Sequence, residues 1–336
     1  MIKTGIIGYG YWGPNILRNF NANDELDVRY VCDFAQDRLD LLKKSFPGIT
    51  GTKNPDDILN NPDIDLVAII TPVFTHFDLA KKALENGKHV FVEKPFTSTS
   101  RQAMELIEIA EKKKRLIMID HTFLFTGSVK KMKELIDNNS IGNLYYYDSV
   151  RVNLGLFQHD VDVIWDLAAH DISIMNYLIP NKKPTSVNAY GADHFDRGLA
   201  NVAYLFVKFD DHFIAHFHCN WLSPVKLRKT LVAGDNKMLV WDDLEESDKI
   251  KVFDKGVEVS TKEDIYSLLI KYRSGEMTTP LLENIEALKA ETQYLVDCLL
   301  TDNHHPINDG KAGLDVVRIL EASSKSIQNN GIEINI

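Results

Sequence analysis

Cysteine is scarce in this chain. Its 336 residues carry three, Cys32, Cys219 and Cys298, too few and too widely spaced for a disulfide framework or a zinc knuckle. Reduced thiols and a cytoplasmic setting are expected. Positive charge is also in deficit: 38 Lys and Arg against 48 Asp and Glu leave a formal net charge of −10. Nucleic-acid binders ordinarily present a basic face, so no nucleic-acid partner is expected. The main basic run, Lys112–Arg115, falls where a helix should end and suits the negative end of its dipole. No apolar stretch approaches the length of a membrane span, and no membrane partner is expected. The N-terminus is expected to enter a strand at once, and no charged leader or cleavage site is expected. No repeat or low-complexity tract is present. What remains is an ordinary globular composition, 44% hydrophobic and 26% charged, of a length for which two domains are the natural prior.

The first 121 residues alternate. Apolar runs at Lys3–Ile7, Val28–Cys32, Leu66–Ile70, His89–Glu93 and Leu116–Ile119 read as strands. Helical patterns at Pro14–Phe20, Asp37–Ser45, Phe77–Asn86 and Ser100–Lys114 separate them. Such alternation predicts parallel strands with right-handed crossovers, a doubly wound Rossmann sheet over residues 1–121. The pattern then changes. A helix is expected over Phe125–Asn138 with Ser128 as its cap, and another over Trp165–Leu178. A long strand is expected at Leu144–Leu154, then successive strands at Thr185–Ala192, Ala200–Phe209, His212–Asn220 and Leu227–Gly234. Short links between strands predict a mostly antiparallel open sheet in an α+β domain over residues 122–336, closed by helices at Ile285–Leu300 and Gly313–Gln328. The chain as a whole is α/β.

The first strand runs into Gly8-Tyr9-Gly10-Tyr11-Trp12-Gly13, which opens a helix. In that context Gly-x-Gly-x-x-Gly is a dinucleotide signature. Gly8 permits the tight turn, Gly10 admits the pyrophosphate, and Gly13 lets helix and strand pack closely. The helix N-terminus offers unpaired N–H groups to phosphate. Asp33 ends the second strand, twenty positions after Gly13. A carboxylate there accepts from ribose hydroxyls and repels a 2′-phosphate, favouring NAD over NADP. Arg38 nearby tempers that preference.

Further residues are more specific. Thr71-Pro72-Val73-Phe74-Thr75-His76, then Gly87-Lys88-His89-Val90-Phe91-Val92-Glu93-Lys94-Pro95, then Asp166-x-x-x-His170 and Pro306…Asp309-Gly310…Gly313 resemble the signature of the Gfo/Idh/MocA proteins, the family of glucose–fructose oxidoreductase, inositol dehydrogenase and rhizopine catabolism. The resemblance covers nearly the whole chain. It implies a catalytic group of Lys94, Asp166 and His170. It implies cofactor contacts from Gly8, Gly10, Tyr11, Trp12, Asp33, Arg38, Thr71, Pro72, His76 and Glu93, with Lys94 at the nicotinamide end. It also implies a homodimer or homotetramer built on the second domain's sheet.

The residues support this reading independently. Lys94 follows a strand at its carboxyl end, where doubly wound sheets bind ligands, and Pro95 stiffens the turn. Asp166 and His170 are four apart on one expected helix and share a face. His170 can exchange a hydroxyl proton near neutral pH. Arg151, Asn153, Gln158 and His159 are expected to line the substrate wall, with Arg151 suited to a carboxylate or diphosphate. Residues 151–170 resemble those members that oxidise the 3-hydroxyl of a UDP-activated N-acetylhexosamine or its uronate. A free polyol or aldose dehydrogenase, or a non-catalytic NAD-binding regulator, are the alternatives. His212, His216 and His218 alternate along an expected strand, but no cysteine or carboxylate joins them at ligand spacing, and no metal is expected.

Overall fold

The structure is a computed structural model and describes residues 1–155, 157, 158, 160–258 and 271–336. Two compact units divide the chain: Met1–Phe125 with Ile285–Arg318, and Thr126–Asn284 with Ile319–Ile336.

In the first unit six parallel strands, β1 (Ile2–Ile7), β2 (Leu26–Cys32), β3 (Thr50–Thr52), β4 (Leu66–Ile69), β5 (His89–Glu93) and β6 (Ile117–Asp120), lie in the order β3-β2-β1-β4-β5-β6. Helices α1 (Gly13–Asn21), α2 (Gln36–Ser45), α3 (Asp56–Leu59), α4 (Val73–Glu85) and α5 (Ser100–Lys113) make the crossovers. The central strands read as continuous apolar runs because both of their faces are covered; all four residues of β4 are buried. Thr99 caps α5 by accepting from the Gln102 N–H, and Lys114 ends it in the left-handed region at φ 54°. The edge strand β3, Thr-Gly-Thr, carries no apolar run, which hides it in the sequence.

Fully buried Ile6, Ile16, Leu17, Phe20, Leu42 and Phe91 anchor one core. Phe20 meets Phe91 edge-on at 5.5 Å. The same core takes Leu288, Leu295 and Val296 from a helix over Ala287–Leu300. Here the structure departs from a division at residue 121: the segment Ile285–Arg318 returns to the first unit. Its amphipathic face completes a core begun nearly 300 residues earlier, a pairing no local pattern announces.

The second unit is built on nine strands. Among them β7 (Leu144–Leu154), β8 (Pro184–Ala192), β9 (Val202–Phe209), β10 (Ile214–Asn220), β11 (Leu222–Gly234), β12 (Met238–Asp242) and β13 (Ile250–Phe253) form its body. Neighbouring strands pair antiparallel except β10 with β7, which are parallel. Helix α6 (Gly127–Asp137) is capped by Thr126, which accepts from the Val129 N–H. Ser128, the expected cap, already lies inside the helix and is buried. On β7 the buried residues are Tyr147, Ser149, Arg151 and Val152. The opposite side of β9 and β10 carries exposed Tyr204, Phe206 and Ile214.

Candidate active site

The dinucleotide turn is shaped by sterics. Gly8 has φ +103°, and a Cβ there would lie 2.1 Å from the Ile70 carbonyl oxygen. A Cβ at Gly13 would lie 2.6 Å from the Gly8 carbonyl oxygen. Both glycines are therefore required by the protein itself. Gly10 differs: its Cβ would meet nothing nearer than the Arg38 guanidinium at 3.5 Å. The chain leaves room above Gly10, and that room is what a pyrophosphate approach needs. Helix α1 begins after this turn with Pro14 in its first positions and no side-chain cap. Pro14 brings no N–H, and the Asn15 N–H donates to the Trp12 carbonyl oxygen at 2.9 Å, so what this end offers an anion is the positive end of the helix dipole. Gly10, the uncapped α1 and Asp33 thus fit a dinucleotide.

Asp33 is buried, 7% exposed. Its Oδ2 accepts from the Tyr9 N–H at 2.8 Å and its Oδ1 from the Ala35 N–H at 2.9 Å. Arg38 Nη1 adds an ion pair at 3.1 Å. Burial pushes this carboxyl up, but the two N–H groups and Arg38 outweigh it, and Asp33 stays below the usual carboxylate value. It is therefore an anion, held in place by its own loop. Arg38 leans on Asp33 rather than standing as a separate phosphate receptor. Behind Asp33, burial pushes the Cys32 thiol up to about 12, so it stays protonated. All three cysteines are buried and free.

Lys94 follows β5 and His121 follows β6. These strands pair in register, Glu93 opposite Asp120, so Lys94 and His121 are the next residues on adjoining strand ends. The Lys94–Pro95 bond is cis. Burial draws the His121 imidazole down to about 4; Asp120 opposes this and the Lys94 ammonium reinforces it. A neutral ring therefore sits beside the lysine at neutral pH.

His76, expected among the cofactor contacts, is fully buried inside the unit. Its Nδ1 lies 3.0 Å from the Pro95 carbonyl oxygen and its Nε2 lies 2.7 Å from that of Thr71. It braces the Thr71 turn against the Lys94–Pro95 turn. Thr71 Oγ1 also bonds Thr75 Oγ1 at 2.6 Å, while Pro72 is exposed. Tyr11 is 85% exposed. Trp12 is half-buried and its indole N–H donates to Asp120 at 2.7 Å. The sequence reading passed over two exposed aromatics, Phe34 after β2 and Phe74 at the start of α4, 77% and 64% exposed. Their signal is local: Phe34 lies two residues past the end of β2, and Phe74 lies in the first turn of the helix that follows β4.

In the second unit the expected helix is two pieces, a π-helical turn over Ile164–Ala168 and helix α7 (Ala169–Leu178). Turns of this kind recur at functional sites. Asp162 seats the first piece, its Oδ1 accepting from the N–H groups of Ile164 and Trp165. Asp166 lies in the π-turn, where its Oδ2 accepts from the buried Trp221 indole at 3.0 Å. His170 is half-buried in the first turn of α7. Trp221 is the residue that sequence reasoning missed here, because the bend between β10 and β11 brings it to Asp166 from 55 residues away.

Arg151 is elsewhere than expected. It is 3% exposed and its guanidinium is bidentate to Asp171, with Nη2–Oδ1 at 2.7 Å. A buried, fully paired guanidinium holds α7 to β7 and does not reach a substrate carboxylate or diphosphate. Asn153 is half-buried and Gln158 exposed; His159 lies outside the described residues. His212 precedes β10 instead of lying in it, while His216 and His218 pack on Phe206 and Tyr204. Among the described residues no group of three or more His, Cys, Asp or Glu is placed to hold a metal, and no helix is long and apolar enough to cross a membrane.

Comparison with known proteins agrees with this construction. Residues 2–121 match the model of the oxidoreductase family with an NAD-binding Rossmann fold, and residues 129–240 match the GFO/IDH/MocA C-terminal domain. An uncharacterised oxidoreductase of Escherichia coli, YdgJ, is 36% identical over 44% of this chain and 42% of its own length. The scyllo-inositol 2-dehydrogenase (NAD(+)) of Bacillus subtilis is 31% identical over 56% of this chain and 57% of its own. The chain spans about half the length of the curated relatives it matches. The solved structure of UDP-N-acetylglucosamine 3-dehydrogenase GnnA from Acidithiobacillus ferrooxidans superposes with a TM-score of 0.79 at 21% identity, covering 98% of each chain; it shows the same fold. With both of its domain models matched along the sequence, the chain belongs to the Gfo/Idh/MocA oxidoreductase family.

Proposed function

We propose that this chain is a nicotinamide-dependent dehydrogenase acting on a secondary alcohol of a sugar or polyol ring. The observation that carries the reading is the first unit's combination of an open Gly10, an uncapped α1 and an anchored anionic Asp33, with Lys94 at the carboxyl end of β5. Bound NAD supplies the hydride acceptor. The space above Gly10 and the positive end of α1 would hold the pyrophosphate, Asp33 would accept from the adenosine ribose, and Phe34 would offer a face to the adenine. The anionic Asp33, already joined to Arg38, supports NAD over NADP.

The Lys94 ammonium stabilises the negative charge that develops on the alcohol oxygen, the kind of interaction that dominates such catalysis. His170 takes the hydroxyl proton, and Asp166, fixed by Trp221, holds charge beside it. These roles follow the family resemblance of the Glu93-Lys94-Pro95 and Asp166–His170 segments.

The segment 151–170 supports a UDP-activated N-acetylhexosamine or its uronate, oxidised at the 3-hydroxyl. The burial of Arg151 removes one basic group from that reading. A free cyclic polyol is the second reading, favoured by relatives named as inositol dehydrogenases. Mixing the chain with NAD and either UDP-N-acetylglucosamine or scyllo-inositol, and following the absorbance of NADH, decides between them. NADH formation with neither, nor with any aldose or polyol of a broad panel, despite NADH binding, would favour a regulator on the same fold. Three buried free thiols suit a reducing, cytoplasmic compartment. A second copy of the chain is proposed to cover exposed Tyr204, Phe206 and Ile214 of the open sheet.

A further inference from the structure

Beneath the dinucleotide loop the first unit buries a carboxyl pair. Asp120, 2% exposed, ends β6; Glu291, fully buried, comes from the helix Ala287–Leu300. Three groups point hydrogens at Asp120 or lie within reach of it. The Trp12 indole donates to Oδ2 at 2.7 Å, and the Thr122 hydroxyl donates to Oδ1. The Glu291 carboxyl is the third, a side-chain hydrogen-bond neighbour. Asn308 Nδ2 donates to Glu291 Oε1 at 3.0 Å and to the Ile119 carbonyl at 2.7 Å.

This leaves Glu291 Oε2, a buried oxygen that makes no hydrogen bond; the Thr122 hydroxyl lies near this carboxyl and favours its ionised form, but it already donates to Asp120. An ionised carboxylate in that position would face a second carboxylate with no cation between them. The charges bearing on Glu291 from the adjoining strands, Asp120 and Glu93, are both negative. Burial, then Asp120, hold its proton on well above the usual carboxylate range. Protonation resolves the conflict: a carboxylic O–H is a donor, and Asp120 is the acceptor beside it.

We propose that Glu291 is a standing carboxylic acid that donates to Asp120, and that Asp120 in turn holds the Trp12 indole and so sets the position of the dinucleotide loop. Both are positioning residues for cofactor binding, acting through Trp12. The inference rests on the reading that this loop binds a nicotinamide dinucleotide. It gives the helix Ala287–Leu300 a role beyond the apolar face it adds to the core: it brings the proton that completes the tether.

The test titrates the full chain with NADH and follows fluorescence, for the wild type and for W12F, D120N, W12F/D120N, E291Q and E291A. Thermal unfolding checks that each variant folds. W12F and D120N should each weaken NADH about tenfold, the scale of one charge-assisted hydrogen bond. The double variant should lose no more than either single. E291Q keeps a donor and should bind within about twofold of wild type, whereas E291A should fall with D120N. In turnover assays the change should appear in KM for NAD, not in kcat. Infrared spectra of the wild type at neutral pH should show a carboxylic-acid carbonyl band that E291Q removes. Multiplicative losses in the double variant, unchanged affinity in D120N, or absence of that band each overturn the proposal. A wild-type chain that binds no NADH overturns the functional reading as well; a wild type that binds while every variant binds equally overturns this inference alone.

Discussion

Arg151 of β7 and Asp171 of α7 face each other as a buried bidentate ion pair, Nε and Nη2 both reaching the carboxylate at 2.7 to 3.1 Å. Tyr147 adds its hydroxyl to the Asp171 carbonyl oxygen at 3.2 Å. The pair ties the helix bearing His170 to the centre of the nine-stranded sheet. Breaking it on one side leaves a lone buried charge. Arg151→Met should therefore cost about 3–5 kcal/mol in urea unfolding. The paired variant Arg151→Met with Asp171→Leu should recover much of that loss. Equal stability of the single variant and the wild type would show the pair to be unimportant.

The two glycines of the turn that look alike in sequence should behave oppositely. Gly8→Ala places a methyl 2.1 Å from a carbonyl oxygen at φ +103° and should destabilise the unit outright. Gly10→Ala finds its nearest protein atom at 3.5 Å, so its melting temperature should stay near wild type. Its affinity for NADH should nonetheless fall more than about tenfold, because the methyl takes space wanted by the pyrophosphate. Calorimetric titration with NADH, beside thermal melts, checks both.

Asp33→Ser should raise KM for NAD about tenfold and lower that for NADP, since it removes the ribose acceptor and releases Arg38. The wild-type carboxyl titrates below its ordinary value. Its contribution is thus present above the unfolded pKa and is lost only as pH falls through the folded one. NAD affinity should stay flat across the neutral range and decline only in acid. Steady-state kinetics with each dinucleotide gives the result.

How much of this was legible in the sequence follows from the range of the interactions. The glycine turn, Asp33 and Lys94 are short local patterns tied to strand ends, and they could be read directly. The strand β7 is legible, but not which of its sides the helices cover, so Arg151 is expected on a substrate wall and is found buried against α7. Thr126 and Ser128 are both hydroxyls ahead of an apolar run; only backbone geometry separates the cap from the helix interior. Trp12, Asp120, Glu291 and Asn308 form one network from four distant points of the chain, and no spacing rule joins them. Trp221 and Asp166 are the same case in the second unit.

His121 makes a pH prediction with a definite sign. Its folded pKa is drawn to about 4 from an ordinary 6.5, by burial first and by Lys94 as well, against Asp120. Between those values the unfolded chain holds more protons, so stability is full above the upper value and falls as pH drops toward the lower one. The loss is about 3 kcal/mol for such a shift. His121→Leu should reduce the difference between urea midpoints taken near pH 7 and about pH 4.5. His89, also drawn to about 4 by burial and by Arg115, adds slope of the same sign, so a reduced slope and not a flat one is expected.

The most direct test of the account is Lys94→Ala, assayed for NADH formation with the best sugar or polyol found and, separately, for NADH binding. Turnover should fall by about a thousandfold or more, while NADH affinity stays within about threefold of wild type. Turnover that survives the substitution unchanged would contradict the account at its centre.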